Sequence, residues 1–230
     1  MPARLATLAL VLALAPRLAT GQEFPPAGEG AKLFEGEPLR VWTFPIGAAA
    51  GLGWPAGHMH DNLLFKDAFS GLKALQLDAG VAYKGVGVSL VYRRGLAKAG
   101  KVWCPATESC TASFDSIGGA IMIHPSEMGP KQGFGRVDFR LGVGGAQDVG
   151  EVKVSSTGEV KRVTGWDIFE IVTIGSKLGD ATSRLSLGVW AAFHLQSFDK
   201  YEPASLGNPV QDKNPNTPIL FELGVRFGFD

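Results

Sequence analysis

The chain has 230 residues, enough for one domain or two small ones with a sizeable buried core. Its 22 Lys and Arg residues balance 22 Asp and Glu residues, so no basic surplus indicates nucleic-acid binding. Hydrophobic residues make up 45% of the chain. Its 31 glycines are about 13% of all residues, nearly twice the usual ~7%. This composition excludes a disordered chain and argues against a helical bundle.

The first 21 residues have the pattern of a secretory signal peptide. Arg4 precedes an apolar run over residues 5–15, and the small residues Ala19 and Gly21 mark a cleavage site after Gly21. The apolar run is shorter than the ~20 residues of a membrane-spanning helix, which disfavours an N-terminal anchor. Loss of Arg4 and Arg17 leaves 20 basic against 22 acidic residues, a net charge near −2.

The remainder of the chain contains no run of ~18 apolar residues free of charge. It shows period-two alternation of apolar with polar or glycine residues, which is typical of strands. The pattern predicts eight strands of about ten residues, at 40–54, 75–83, 86–93, 113–124, 135–144, 166–176, 184–194 and 219–229.

The direction in which the apolar face of each strand points distinguishes a soluble sandwich from a membrane barrel. In a sandwich it faces a protein core, whereas in a barrel it faces lipid. The predicted strands match the ~9–11 residues of a tilted transmembrane strand, and their polar faces carry glycines and opposed charges, as a narrow lumen requires. Aromatic residues lie near the strand ends, where interfacial belts occur. They are Trp42, Trp54, Tyr83, Tyr92, Trp166 and Phe229. These features favour the barrel.

The predicted connections alternate between long and short. The short ones are 84–85, 125–132 and 177–180, whereas the long ones are 55–72, 95–112, 148–165 and 196–217. Outer-membrane barrels have short periplasmic turns and long extracellular loops. The sequence therefore predicts an all-β fold, an antiparallel up-and-down transmembrane β-barrel of eight strands with that loop arrangement.

In these features the chain resembles the small eight-stranded outer-membrane barrels of Gram-negative bacteria, the OmpA/OmpX type. The resemblance covers residues 39–230, preceded by the signal peptide (1–21) and a periplasmic segment (22–38). It implies a location in the cell outer membrane, contact with outer-membrane lipid and lipopolysaccharide, and extracellular partners bound through the loops, with no nucleic acid. It also implies that the barrel-assembly machinery reads Phe227 and Phe229, although Asp230 follows them and departs from the family pattern.

Eight charged residues are expected to face the lumen as a polar network. They are Asp78, Arg93, Arg136, Asp138, Arg140, Arg184, Glu222 and Arg226. Because buried charges must be paired, the favoured interpretation is a plug of ion pairs that closes the barrel. The alternative is a narrow polar path, in which five arginines against three carboxylates would favour anions. Glu170 is not assigned because the strand register there is uncertain.

The loops carry weaker signals. Cys104 and Cys110 predict a local disulfide, which is favoured over half of a metal site in an exported protein. The pair His58 and His60 lies in a segment interpreted as a solvated loop, and no metal or cofactor is expected. Helical spacing within 64–72 predicts a short interfacial helix or a cover over the barrel mouth. Residues 151–163 predict a hairpin, either as an extension of the wall or as an edge that recruits another strand.

Catalytic signals are weak. No G-x-S-x-G, P-loop or H-E-x-x-H pattern is present. His194 and Ser197 would point to opposite faces of a strand. The expected protein is therefore not an enzyme but an outer-membrane barrel with a structural or surface-interaction role. Transport of small solutes or hydrophobic molecules, in the manner of porin-like or OmpW-like barrels, is the alternative.

Overall fold

The structure is a computed structural model that describes residues 42–60, 63–125, 137–179, 183–203 and 217–230. The predicted signal peptide, the segment 22–38 and Arg136 lie outside these ranges. In the described part of the chain, no helix has the length and apolar character needed to cross a membrane.

Strands account for nearly all of the described elements. In chain order the elements are β1 (Trp42–Thr43), β2 (Ile46–Ala56), β3 (His58–His60), β4 (Leu63–Leu64), α1 (Phe65–Ala68), β5 (Phe69–Tyr83), β6 (Val86–Ala99), β7 (Cys110–Ile123), β8 (Val137–Val154), β9 (Val160–Lys177), β10 (Leu185–Glu202) and β11 (Ile219–Phe229).

Eight of these strands form one closed antiparallel barrel. Each strand from β5 to β10 pairs with the strand that follows it in the chain. The wall closes because β2 pairs with both β5 and β11. The short β1 adds to β5, and β3 pairs only with β4. The predicted eight-stranded barrel is confirmed.

The turn between β5 and β6 is the predicted two-residue link. Lys84 has φ 50° and Gly85 has φ 79°. Positive φ at both central residues matches the right-handed twist of the flanking strands, and glycine adopts it without strain. The turn fixes the register in which Tyr83 lies opposite Val86.

The outer face of the barrel wall is largely apolar, and eight charged residues of the barrel strands are buried inside it. On the outer face Leu90 is 60% exposed, Ile168 63% and Val189 57%. Their inward neighbours, such as Ser89, Asp167 and Trp190, are buried, so the alternation has the sense that the sequence predicts. An apolar face of this extent is typical of a barrel wall that is covered by lipid.

Several strands continue beyond their predicted ends. β8, β9 and β10 each contain 18 residues, so the expected loops at 148–165 and 196–217 are partly strand. The outward residues turn polar there, which resembles a loop in the sequence, but inward residues such as Val152, Val163 and Phe198 remain buried. These residues pack inside the extended wall, and their packing keeps the strands paired.

The predicted hairpin at 151–163 is the joined end of β8 and β9. β7 covers one side as far as Cys110 opposite Val154, and β10 covers the other as far as Glu202 opposite Arg162. The hairpin therefore extends the wall, and its two outer edges are paired as far as Val154 on β8 and Arg162 on β9. At its rim the Lys200 ammonium donates a hydrogen bond to Glu202, which lowers the pKa of that carboxyl.

Candidate functional site: the interior of the barrel

The end of the barrel nearest the β5–β6 turn is filled by an ion cluster around Arg140. Nη2 of Arg140 lies 2.9 Å from a carboxylate oxygen of Asp138 and 2.9 Å from one of Asp230, and its Nε donates to Asp138. Ser186 accepts a further hydrogen bond from Arg140 at 3.4 Å. All four side chains are buried, so the guanidinium is compensated by two carboxylates.

A second pair lies near the same end. Nη2 of Arg226 on β11 lies 2.6 Å from Asp78 on β5, and both side chains are buried. Gly47 makes room for this pair, because a Cβ atom built on it would lie 2.0 Å from the same nitrogen. The pair therefore ties β5 and β11 together across the intervening β2.

Further along the barrel, Arg93 and His194 form the centre of a larger network. Nη1 of Arg93 lies 2.8 Å from Nε2 of His194 and 3.6 Å from Glu222. Nδ1 of His194 lies 2.6 Å from Asp167, and Nε2 lies 3.4 Å from Glu222. Each ring nitrogen thus faces a carboxylate, and strands β6, β9, β10 and β11 meet at this point.

A third carboxylate completes this network. Asp148 lies 3.6 Å from Nη2 of Arg93 and accepts a 2.8 Å hydrogen bond from the side-chain amide of Gln196. Both residues are buried. We refer to Arg93, Asp148, Asp167, His194, Gln196 and Glu222 as the central network.

An aromatic cluster lies against the central network on the side of the long loops. The guanidinium of Arg93 is 5.4 Å from the ring centroid of Phe114, a cation–π distance. Edge-on and tilted ring contacts continue from there, with centroids 5.2–6.1 Å apart. The buried residues that we call the mouth cluster are Phe65, Phe69, Trp103, Phe114 and Phe198.

Backbone contacts hold the loop segments of the mouth cluster in place. The N–H of Phe65 donates to the carbonyl of Gly57, and the N–H of Gly100 donates to that of Ala68. The Lys161 ammonium donates to the carbonyl of Trp103 at 3.0 Å. Within 64–72 only Phe65–Ala68 is helical, and the residues from Phe69 onward belong to β5. This segment covers the barrel mouth, which is one of the two alternatives that the sequence left open.

The structure places six of the eight predicted lumen residues in the interior. They are Asp78, Arg93, Asp138, Arg140, Glu222 and Arg226. Arg136 lies outside the described residues. Arg184 differs from the expectation: it is exposed and precedes the first residue of β10, so its side chain lies beyond the paired wall.

The interior polar residues that are missing from the predicted set include Asp148, Asp167, His194, Gln196 and Asp230. Asp148 continues the parity of Asp138 and Arg140 along β8, so a longer strand would have identified it. Asp167 alternates with outward Trp166 and Ile168 in β9. The alternation pattern was present in both strands. Asp148 was missed because the predicted strand ended at 144, and Asp167 was missed because the register of 166–176 was uncertain.

The balance of charge differs from the expected arginine surplus. Among the described residues, three buried arginines face six buried carboxylates and two buried histidines. The surplus inside this part of the barrel is therefore negative, which removes the reason to expect a preference for anions.

Other residues singled out in the sequence lie outside the network. Glu170 is exposed on the apolar outer face of β9. Phe227 and Phe229 are also on the outer face, 44% and 40% exposed. Cys104, in the loop after β6, forms a disulfide with Cys110, the first residue of β7. Within the described ranges no group of three His, Cys, Asp or Glu side chains is arranged to hold a metal ion.

A closed wall of eight antiparallel strands, an apolar exterior and an interior filled by ion pairs define a β-barrel of the outer-membrane type. No family model matches the sequence, and no curated protein is significantly similar to it. Among solved structures, the chain is similar to Neisserial surface protein A (NspA), with a TM-score of 0.51 and 13% identity over 80% of this chain and 97% of NspA. This likeness supports the fold.

Two further solved structures are more distant. The attachment invasion locus protein Ail of Yersinia pestis has a TM-score of 0.41 and 10% identity, over 82% of this chain and 97% of Ail. A major outer membrane protein from Thermus thermophilus has a TM-score of 0.44 and 13% identity, over 82% of this chain and all of that one.

Proposed function

We propose that the protein is an outer-membrane barrel with a structural or surface-interaction role, and that its lumen is closed. The observation that carries this proposal is the filled interior. The central network joins strands on opposite parts of the wall, and the mouth cluster packs directly against it through Arg93 and Phe114. A solute would have to displace paired charges and packed rings in succession.

The exterior supports the membrane location. Large apolar residues are exposed on all eight barrel strands, whereas most of the charges placed along the strands point inward or lie at strand ends. Lipid favours this arrangement, because every backbone polar group of a closed barrel is hydrogen-bonded within the wall.

The extended strands favour contact with partners outside the cell. The ends of β8, β9 and β10 present the charged residues Glu151, Lys153, Arg162, Lys200 and Glu202 around a rigid rim. A rigid rim presents side chains to a partner with little loss of conformational entropy. The disulfide loop packs beside the hairpin, since the N–H of Ser155 donates to the carbonyl of Ser109.

Conductance across a planar lipid bilayer tests the closed lumen. We expect the purified barrel to give no steady current under conditions in which an open porin of known conductance does. The matched variants are Phe114→Ala, which removes an inward ring of the mouth cluster, and Phe193→Ala, which removes a lipid-facing ring. Phe114→Ala should produce brief openings, whereas Phe193→Ala should stay silent. A steady current through the unaltered protein would contradict the proposal and favour transport.

The surface role requires the hairpin to lie outside the cell and the β5–β6 turn inside the periplasm. Because Cys104 and Cys110 are joined in a disulfide, the variants Ser156→Cys and Lys84→Cys each add one free thiol, which a maleimide that does not cross the outer membrane can label. We expect labelling of intact cells only at position 156, and labelling at both positions after lysis. Labelling only at position 84 in intact cells would reverse the orientation.

A further inference from the structure

The outer wall of the barrel contains an apolar groove of about 470 Å³. Its floor is formed by Ala48 and Ala50, which are the outward residues in the middle of β2. Larger side chains border this floor on both sides, Leu75 and Leu77 on β5 and Val225 and Phe227 on β11. The groove arises because two small residues lie between bulky residues of the adjacent strands.

The groove runs obliquely across the wall. Tyr92 and Arg94 line one end, and Leu187 lines the other. Arg94 is eight residues beyond the start of β6 at Val86, and Leu187 is two residues beyond the start of β10 at Leu185. At ~3.3 Å per residue and a tilt of about 45°, these positions lie roughly 19 Å and 5 Å above the turn end of the barrel. The groove therefore runs from the level of the outer leaflet toward the inner one.

Three cations lie on the outer face at the upper end of the groove. Lys73 on β5 and Arg94 and Lys98 on β6 are all exposed. Lys73 pairs with Leu96, which stands between the other two along β6. The opposing charge is Asp115 on β7, which lies 3.8 Å from Arg94 and accepts a hydrogen bond from the Tyr92 hydroxyl. The group carries a net charge of +2.

Two cations elsewhere on the outer rim, Arg162 and Lys200, are paired with acidic neighbours. Arg162 lies 2.6 Å from Glu151, and Lys200 lies 2.5 Å from Glu202. Lys73 and Lys98, in contrast, form no ion pair with another described residue. Two exposed ammonium groups that are free to bind an anion therefore lie above the apolar groove.

We propose that this surface binds a phosphorylated lipid of the outer leaflet. Lys73, Arg94 and Lys98 would hold its phosphate, and one acyl chain would lie along the groove over Ala48 and Ala50. Charge complementarity selects the headgroup, because ammonium and guanidinium groups form strong charge-assisted hydrogen bonds to phosphate. The inference requires the membrane placement proposed above, but it requires neither a closed lumen nor a protein partner.

Native mass spectrometry of the detergent-solubilised barrel tests the site, with lipid A as the phosphorylated probe and phosphatidylcholine as the zwitterionic comparison. We expect tighter binding of lipid A. The triple variant Lys73→Gln, Arg94→Gln, Lys98→Gln should weaken it at least about tenfold. The charge-matched control Lys153→Gln, Arg162→Gln, Lys200→Gln should change it less than about twofold, because none of these three residues lines the groove.

A groove-filling variant separates a site from general attraction to positive charge. Ala48→Phe with Ala50→Phe keeps every cation and should also weaken lipid A binding. Equal affinity for the two lipids, or equal loss in the charge variant and its control, would overturn the inference. Undiminished binding by the groove variant would overturn the acyl-chain part. A heat-dependent shift in gel mobility, recorded for each variant, keeps loss of the site distinct from loss of the fold.

Discussion

Arg93 is the residue whose removal should destabilise the barrel most. It is 2% exposed and lies 3.6–3.9 Å from carboxylate oxygens of Asp148, Asp167 and Glu222. At an effective dielectric constant of about 20, each contact is worth roughly 4–5 kcal/mol before the cost of dehydration is counted. Arg93→Met keeps much of the side-chain volume but leaves three buried carboxylates without their guanidinium partner, and His194 contacts only Asp167 and Glu222 among them.

We expect Arg93→Met to lower the free energy of unfolding by about 3–5 kcal/mol, the range found when one partner of a buried ion pair is removed. Reversible urea unfolding in detergent or lipid vesicles, followed by tryptophan fluorescence, measures this. Adding Glu222→Gln removes one uncompensated charge and should restore part of the loss, giving a coupling energy of about 0.5–3 kcal/mol in the double-mutant cycle.

The matched control is Arg162→Met, the same substitution at a rim residue. Arg162 is 44% exposed although it lies 2.6 Å from Glu151, and exposed pairs contribute about 0–1 kcal/mol. Similar losses in Arg93→Met and Arg162→Met would refute the reasoning, because the central network would then not be a desolvated ion cluster.

Three further outcomes follow from the structure and are measured by the same unfolding experiment. Glu170→Leu removes a carboxylate from the apolar outer face and should raise the free energy of unfolding by about 1–2 kcal/mol. Gly47→Ala places a methyl group against Arg226 and should cost about 1–3 kcal/mol by displacing its ion pair. Replacing Cys104 and Cys110 by Ser opens a short covalent loop and should cost about 2 kcal/mol.

Each of these outcomes has a contrary result. A loss of stability in Glu170→Leu would indicate that this carboxylate is satisfied by a neighbour. Gly119→Ala is the control for Gly47→Ala, because the nearest atom to its added Cβ is 3.8 Å away. Equal effects at the two glycines would rule out a specific clash. If replacing both cysteines also abolished the heat-dependent shift in gel mobility, the disulfide would be required for the barrel itself to fold.

The sequence predicted those features that depend on one strand alone. The alternation of Val86, Val88, Leu90 and Tyr92 with smaller residues indicated which face meets lipid, and the parity of Asp138 and Arg140 placed both inside. Short-range signals such as Lys84–Gly85 located a turn. These predictions hold because side-chain direction in a strand is determined by position along that strand.

The remaining features depend on how strands meet across the barrel. Arg93 on β6 contacts Asp148 on β8, Asp167 on β9 and Glu222 on β11, and these distances follow from the stagger of the closed wall. The mouth cluster combines α1, a loop and three strands. No local pattern encodes such contacts, and the polar outer faces of the extended strands resembled loops.

Cell fractionation combined with gel electrophoresis tests the central claim most directly, that the protein is a closed barrel of the outer membrane. The account predicts recovery in the outer-membrane fraction and a change in mobility when the detergent-solubilised sample is boiled, because a closed barrel resists unfolding until it is heated. Recovery in a soluble fraction with no change in mobility would contradict it. The outward residues would then have to be buried against a partner other than lipid.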